Sequence, residues 1–529
     1  MTVRRSGIVF GLVAVLTAAV MVRLVRAPTY TDAFYHFNAA VRFAQGDGLT
    51  DTYLWTYLGA PDRIGSDGTF PSHLYWMPAA SLIAGAAMAL VGAPGDHAAA
   101  QLPSIPMLAA VGCVGFWLGL NLGGTLRAAW LVGLISLFNG FFARYWGAIE
   151  TFTPYAFFGS LALLSMGIGI RRLRAGRSAL AVWLLCGLFC GAAHLTRNDG
   201  LLLLPVAFFS IVLAALKRHR FSAALMPALS IAIGYGLVMG PWMVRNLSAI
   251  GSPLPFGGTQ AIWFTEYNEL FNFPPDANPG RLLAAGLWET RRDAIGSNLM
   301  TFIAVEGLIV MTPFMLLGLW RRRSDPLIQP FALYALGLHL VMTLVFPFPG
   351  YRGGLFHSAA ALIPFWAALG VDGLDAAVNW FGRKRRWRIR QAQMIFGTAL
   401  LGCAVVLTLN IAARSATTSS ADAAPPLYRA LLDTLPPDSR VLVNDPAQLY
   451  YFTGLGGAVL PNETPDIIPI IAERYAVTHV LIELDAQGQP LTPLPFASII
   501  SSVPEFLDPV PLNIDSARLY AIRAPASTD

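Results

Sequence analysis

The chain has 529 residues, of which 55% are hydrophobic and only 12% charged, against a charged share of roughly 25% in soluble domains. With a mean hydropathy of +0.56 and many apolar runs near the ~20 residues that cross a bilayer, this excludes an ordinary soluble protein and describes a polytopic α-helical membrane protein. The net charge of +6 does not indicate nucleic-acid binding: from Arg414 onward there are six Arg, no Lys and thirteen Asp or Glu, a net of −7, so the first 413 residues carry +13.

That basic excess gathers between apolar runs, at Arg4-Arg5, Arg171 to Arg177, Lys217 to Arg220, Arg321 to Arg323 and Arg383 to Arg390, the pattern of cytoplasmic loops. The apolar runs predict about eleven transmembrane helices, over 6–25, 102–122, 128–146, 153–170, 178–196, 200–216, 222–243, 298–320, 327–346, 355–371 and 392–412. A further run, 76–92, is expected not to cross, because a crossing there would move every later basic cluster outside. The N-terminus is then cytoplasmic, with 6–25 a signal anchor that lacks a small-x-small cleavage site before Arg23 and Arg26. A large first external loop covers 27–100, and the chain returns to that side at 147–152, 197–199, 244–297, 347–354 and from 413 on.

Two domains are expected, a transmembrane one over 1–412 and an extracytoplasmic one over 413–529. After a linker at Ser415 to Ser420, helix-like segments at Pro426 to Leu435, Ala447 to Phe452 and Asp466 to Tyr475 alternate with strand-like ones at Arg440 to Val443, His479 to Leu484 and Ala517 to Ile522. This reads as a small α/β domain, and it has no G-x-G-x-x-G turn for a nucleotide. The cysteines, Cys113, Cys186, Cys190 and Cys403, lie in apolar segments and imply no disulfide framework.

Chemistry-bearing residues concentrate at the external ends of the spans. Asp32 and His36 share one face of a helix in Thr31-Asp32-Ala33-Phe34-Tyr35-His36-Phe37-Asn38; an acid among aromatic rings at a membrane surface suits a substrate that is part lipid and part sugar, although Asp32 can instead cap the helix. The same loop carries Asp47, Asp51, Asp62, Asp67 and His73, too long and aromatic-rich a stretch for mere connection. Glu150 stands at the mouth of the next helix, where it answers the helix dipole or joins Asp32 on a divalent cation such as Mg, Mn or Zn.

Arg197, in Leu195-Thr196-Arg197-Asn198-Asp199-Gly200, either pairs with Asp199 or reaches a phosphate. Arg245 and Arg352 end spans on the same side, placed to snorkel to lipid or to complete a phosphate clamp. Glu306 falls inside a span, and intramembrane acids are functional candidates; His339 is expected to be packed.

These residues resemble the GT-C superfamily of membrane glycosyltransferases. Asp32 to Ala40 and Pro71-Ser72-His73-Leu74-Tyr75 look like the first external loop of oligosaccharyltransferases, and Glu150 stands where the superfamily places its second acidic motif. Leu195 to Pro205, Pro241-Trp242-Met243-Val244-Arg245-Asn246 and Leu449-Tyr450-Tyr451-Phe452-Thr453 look like the protein O-mannosyltransferase and aminoarabinose-transferase branch. The Trp-Trp-Asp-Tyr-Gly sequon-reading motif is missing, Val443-Asn444-Asp445-Pro446 occupying its region, and Glu150 lacks a paired acid.

The resemblance implies an inverting transfer of sugar from a polyprenyl-phosphate carrier to a hydroxyl of a lipid, glycan or protein acceptor, with Asp32 and Glu150 catalytic and possible metal ligands, and with His36, His73, Arg197, Arg245, Arg352 and Glu306 around the substrates. Its implied place is the inner membrane. The alternative is a lipid-linked sugar flippase or transporter using the same arginines and Glu306, which leaves the soluble tail unexplained.

Overall fold

The computed structural model describes residues 2–216, 222–255, 257–350, 352–418, 424–491, 495 and 498–523. The basic cluster at 217–220, Tyr351 and part of the linker lie outside them. Among the described residues, seven helices are long and apolar enough to cross a membrane: Val3–Arg23, His97–Gly123, Phe152–Arg174, Asn198–Leu216, Ala224–Ile250, Gly354–Arg385 and Ile389–Arg414. The apolar helices Leu126–Leu137, Leu180–Thr196 and Gln329–Leu344 are shorter. Helices pack closely where glycines remove the side chain. A Cβ on Gly187 would meet Ile231 O at 2.2 Å, and one on Gly119 would meet Ala128 O at 2.6 Å.

Two apolar runs do not form the continuous helices their composition predicts. The run 128–146 ends its α-helix at Leu137 and continues as a 3₁₀ turn, Gly140–Arg144, because Asn139-Gly140 places Gly140 at φ +58. The run 298–320 breaks more sharply. Helix Leu287–Met300 passes into a π-helical turn, Thr301–Glu306; Leu308 and Ile309 then take left-handed φ of 45 and 67, and a new helix, Thr312–Arg322, starts with Pro313 in its first turn. Pro313 has no N–H to donate to the carbonyl of Ile309, so a helix arriving from Leu287 cannot run on through it, a break that hydropathy alone conceals.

The run 76–92 becomes the helix Ala79–Val91, shorter than a crossing requires. It lies against Thr31–Gln45 closely enough that a Cβ on Gly85 would meet Ala40 O at 2.7 Å.

Beyond the bundle lies a six-stranded sheet in the order β2-β5-β4-β6-β8-β7. Its strands are β2 (Tyr53–Leu54), β4 (Arg440–Val443), β5 (Gly456–Val459), β6 (His479–Glu483), β7 (Leu507–Val510) and β8 (Ala517–Ile522). The first loop also holds a small antiparallel pair, β1 (Thr50–Asp51) with β3 (Phe70–Pro71). Strands β2, β5, β4 and β6 run parallel, while β8 is antiparallel to both β6 and β7.

One edge of this sheet, β2, comes from the first loop: Tyr53 pairs with Gly457 and Leu54 with Ala458. Gly457 has φ +154, and a Cβ there would lie 2.0 Å from Val441 O. Leu54, Tyr57, Phe70 and Leu74 share a core with Leu442, Ile468, Val480 and Tyr520. The sheet therefore reaches across the boundary expected at 412.

Helix Pro446–Thr453 carries that union to Thr31–Gln45. Asn38 Nδ2 donates to Ala447 O at 2.8 Å, Phe34 lies 5.1 Å from the ring of Tyr451, and Thr31 Oγ1 donates to Asp445 Oδ2 at 2.6 Å. Asp445 also caps Pro446–Thr453 by accepting from Gln448 N. At the opposite end of the bundle Arg321 and Arg322 pair with Asp372, and Arg127 with Asp375.

Candidate active site

Three elements meet at the sheet end of the bundle. The first turn of Thr31–Gln45 supplies Asp32, the connection before Phe152–Arg174 supplies Glu150, and the helical turn Gly354–Ser358 supplies His357. One ligand atom from each lies within 4.8 Å of the other two. His357 Nε2 is 3.3 Å from Glu150 Oε1 and 3.8 Å from Asp32 Oδ2.

Asp32 does not cap its helix, since Tyr30 occupies that position without a side-chain bond. The Asp32 carboxylate retains 26% exposure, whereas Glu150 is closed off at 1%. Glu150 is held by Thr151 Oγ1 at 2.7 Å and by Phe152 N at 3.1 Å, the latter at the positive end of a helix. The His357 ring stacks on Phe152 at 4.2 Å.

Electrostatics separates the two carboxylates. Burial, and then the neighbouring Glu150 charge, push Asp32 up to about 6, while His357 and Arg197 pull it down. Burial alone would raise Glu150 too, but the charge and hydrogen bond of His357 hold it well below the usual carboxylate range. Glu150 is thus the fixed charge and Asp32 the group poised to take or yield a proton near neutrality.

The same atoms fit a divalent cation. His357 Nδ1 is 3.2 Å from Gly353 O, so a neutral ring donating there turns the Nε2 lone pair toward two carboxylates. Acceptors converging in this way repel one another unless a proton or cation lies among them. Separations of 3.3 and 3.8 Å match ligands that each sit ~2.1 Å from one ion, and two carboxylate oxygens with one imidazole nitrogen suit Mn²⁺ or Zn²⁺.

Around this centre the other candidates divide. Arg197 is in place: Nη1 donates to Thr151 Oγ1 at 3.2 Å, and Nε to both Asp199 at 3.0 Å and Ser358 at 3.2 Å. Ser358 closes the network by donating to Asp199. Arg352 lies 5.6 Å over the ring of Tyr267.

His36 and His73 are joined behind the site. Ser81 Oγ stands 2.9 Å from His36 Nδ1 and 3.0 Å from His73 Nε2, and burial lowers the pKa of both rings. His73 takes a left-handed φ of 59 and donates its backbone N–H to Tyr35 Oη, which itself donates to Asp51 Oδ2, both at 2.7 Å.

Arg245 stands beside that group, donating to Leu49 O at 2.9 Å and lying 5.0 Å over Trp242. Glu306 accepts from Trp366 Nε1 at 2.6 Å and meets His339 Nε2 at 2.9 Å. No hydrogen bond or ion pair among the described residues links Glu306 to Asp32, and His339 is its partner rather than a simply packed ring.

His357 and Ser358 are absent from the residues singled out by sequence, and Asp445 stands there only within the segment that occupies the region of the missing motif. The signal for His357 was its position: a histidine at the mouth of the run 355–371, on the side that charge parity assigns to Asp32 and Glu150.

No protein-family model and no curated protein matches the sequence. Solved structures do match. ArnT from Cupriavidus metallidurans, solved with undecaprenyl phosphate, superimposes with a TM-score of 0.59 at 13% identity over 99% of each chain. The oligosaccharyltransferase AglB from Archaeoglobus fulgidus, in complex with an inhibitory peptide and a dolichol-phosphate, gives 0.54 at 13% identity over 89% of this chain and 69% of its own. The Archaeoglobus fulgidus oligosaccharyltransferase in complex with Zn and sulfate gives 0.51 at 12% identity, over 90% of this chain and 68% of its own. This chain shares the fold of these structures, as its resemblance to the GT-C superfamily implied.

Proposed function

We propose that the protein is an integral inner-membrane glycosyltransferase that moves a sugar, with inversion, from a polyprenyl-phosphate carrier to an acceptor hydroxyl on the extracytoplasmic face. The observation that carries this reading is the convergence of Asp32, Glu150 and His357, with Asp32 partly open and its pKa near 6. The fold supports it, as do the undecaprenyl phosphate and dolichol-phosphate bound by proteins that share it. The positive-inside rule, applied to the basic clusters at the opposite end of the bundle, supports a cytoplasmic N-terminus and an extracytoplasmic 413–529 domain.

In the reaction Asp32 accepts the acceptor hydroxyl proton while the acceptor oxygen bonds to the anomeric carbon from the face opposite the carrier. The bond between that carbon and the carrier phosphate oxygen breaks, and its electron pair leaves with the phosphate. Arg197, which bonds Thr151 beside Glu150 and acts on Asp32, can steady that charge. A divalent cation held by Asp32, Glu150 and His357 would supply Lewis-acid stabilisation of the leaving phosphate.

The test is transfer of labelled sugar from a panel of polyprenyl-phosphate monosaccharides to membrane lipid and protein acceptors, comparing purified wild type with Asp32→Asn. Turnover by wild type that is lost in Asp32→Asn supports the reading. Equal turnover in both overturns Asp32 as base, and carrier flipping without transfer overturns the enzyme reading.

A further inference from the structure

A cavity of about 180 Å³ opens at the end of the bundle away from Asp32, among Ser104–Gly123, Leu126–Leu137, Thr312–Arg322, Ile363–Arg385 and Ile389–Thr418. Asp375, on its wall, follows His357 by 18 residues of nearly continuous helix, ~27 Å at 1.5 Å per residue. The cavity is therefore separate from the candidate active site.

Its polar wall holds Arg321, Arg322, Asp372, Asp375, Asn379 and Gln393. Arg322 is tied down, with Nη2 donating to Leu122 O and to Asp372 Oδ1, each at 2.6 Å. Arg321 commits only Nε, to Asp372 at 3.2 Å. Its terminal guanidinium nitrogens make no hydrogen bond among the described residues, and its side chain is 45% exposed.

Asp375 accepts from Arg127 through Oδ2, while its Oδ1 is buried without a partner. The cavity wall thus carries a guanidinium with unused donors and a buried carboxylate oxygen lacking a donor, the complement of a ligand carrying an anionic group and a hydrogen-bonding cation.

We propose that this cavity binds the headgroup of a phospholipid bearing a primary amine, its phosphate on Arg321 and its ammonium on Asp375 Oδ1. A choline headgroup has no N–H to give Asp375, and a glycerol headgroup has no cation. The surface beside the cavity favours a lipid over a free phosphoamine. Trp380 and Phe381 follow Asn379, Met394 and Ile395 follow Gln393, and all four are at least half exposed, apolar surface for acyl chains within two residues of the cavity wall, with tryptophan at the interface.

The experiment is native mass spectrometry of the delipidated, full-length protein in detergent, titrated with phosphatidylethanolamine, phosphatidylcholine and phosphatidylglycerol of matched chains and with free phosphoethanolamine. In wild type, phosphatidylethanolamine reaches half-occupancy at a concentration about tenfold below the other two lipids. Arg321→Gln and Asp375→Asn each remove that advantage, and Asp375→Asn does so by equalising the ethanolamine and choline lipids. Arg321→Gln leaves the Arg322–Asp372 and Arg127–Asp375 pairs in place, so loss of selectivity in it is not loss of fold. Equal binding of the three lipids by wild type, or undiminished selectivity in Arg321→Gln, overturns the proposal; phosphoethanolamine binding as tightly as the lipid overturns the lipid assignment.

Discussion

His357 Nε2 lies 3.3 Å from Glu150 Oε1 and 3.8 Å from Asp32 Oδ2, so a single ring nitrogen faces two carboxylates of different character. Glu150 is sealed and bonded on both oxygens, whereas Asp32 is open on one side. Removing each member of this trio therefore has a distinct consequence.

Asp32→Asn preserves shape and removes the proton acceptor. General-base catalysis contributes roughly 10²–10⁴-fold, and a loss of that order is expected in labelled-sugar transfer. The thermal midpoint stays at or above that of wild type, because a buried like-charge repulsion with Glu150 disappears.

His357→Ala removes one of three proposed ligands. Chelation by EDTA is expected to silence wild type, with Mn²⁺ or Zn²⁺ restoring it. The variant should need about tenfold or more metal for the same recovery, in line with the order of loss that ligand-shell changes cause. Metal content after gel filtration checks this directly: as much bound metal in His357→Ala as in wild type would remove His357 from the ligand set.

Asp51 gives the pH dependence. It is 3% exposed, and burial pushes it up from 3.8 to about 7. Its contribution to stability is fully present below about 4 and is lost as pH rises through about 7, where the folded protein must hold a buried charge. Asp51→Asn can still accept from Tyr35. Its thermal midpoint should match wild type near pH 4 and exceed it at pH 8, by on the order of a few kcal/mol in stability. A constant difference across that range would show that Asp51 does not titrate with folding.

Asp445 links the tail to the site. Asp445→Ala loses both the bond from Thr31, charge-assisted and worth about 1.5–3 kcal/mol, and the helix cap, worth about 1 kcal/mol. It should lower the thermal midpoint and slow transfer severalfold by loosening the turn that carries Asp32. Asp445→Asn keeps one acceptor oxygen for the cap from Gln448 N, and its Nδ2 can donate to Thr31 Oγ1 in place of the bond that Oδ2 accepted, so it should restore part of each. Thr31→Val isolates the interdomain bond: slower transfer with a fall in midpoint smaller than that of Asp445→Ala, because the helix cap is kept, is the expected result in a parallel melting and activity assay.

Much of this arrangement was legible in the chain, for reasons that also mark the limit. Eleven apolar runs locate helices because burial in lipid demands continuous hydrophobicity. Hydropathy, however, is blind to the left-handed backbone at Leu308 and Ile309. Asp32 and Glu150 stood out as acids beside apolar spans, but His357 did not, since a lone histidine carries no periodic signal. Arg245 shows the same limit in reverse: parity puts it at the right depth, yet only packing turns it toward Leu49 and Trp242. In the tail, β4, β6 and β8 were readable as short runs rich in apolar residues. Strand β5 begins Gly456-Gly457-Ala458 and β7 contains Pro509, residues depleted in strands. No local rule could announce β2, two residues whose partner lies some 400 positions away.

That distant pairing sets a timetable for biogenesis. At about 5–20 residues per second, the ribosome needs roughly 20–80 s after releasing Leu54 to produce Gly456 and the strand it joins. Through that interval the first loop has Leu54 and Tyr57 uncovered and Asp32 lacks the tether from Asp445. The loop that carries Asp32 thus takes its final place only when Asp445 and the strand Gly456–Val459 arrive, so the geometry around Asp32 is among the last features of the chain to form.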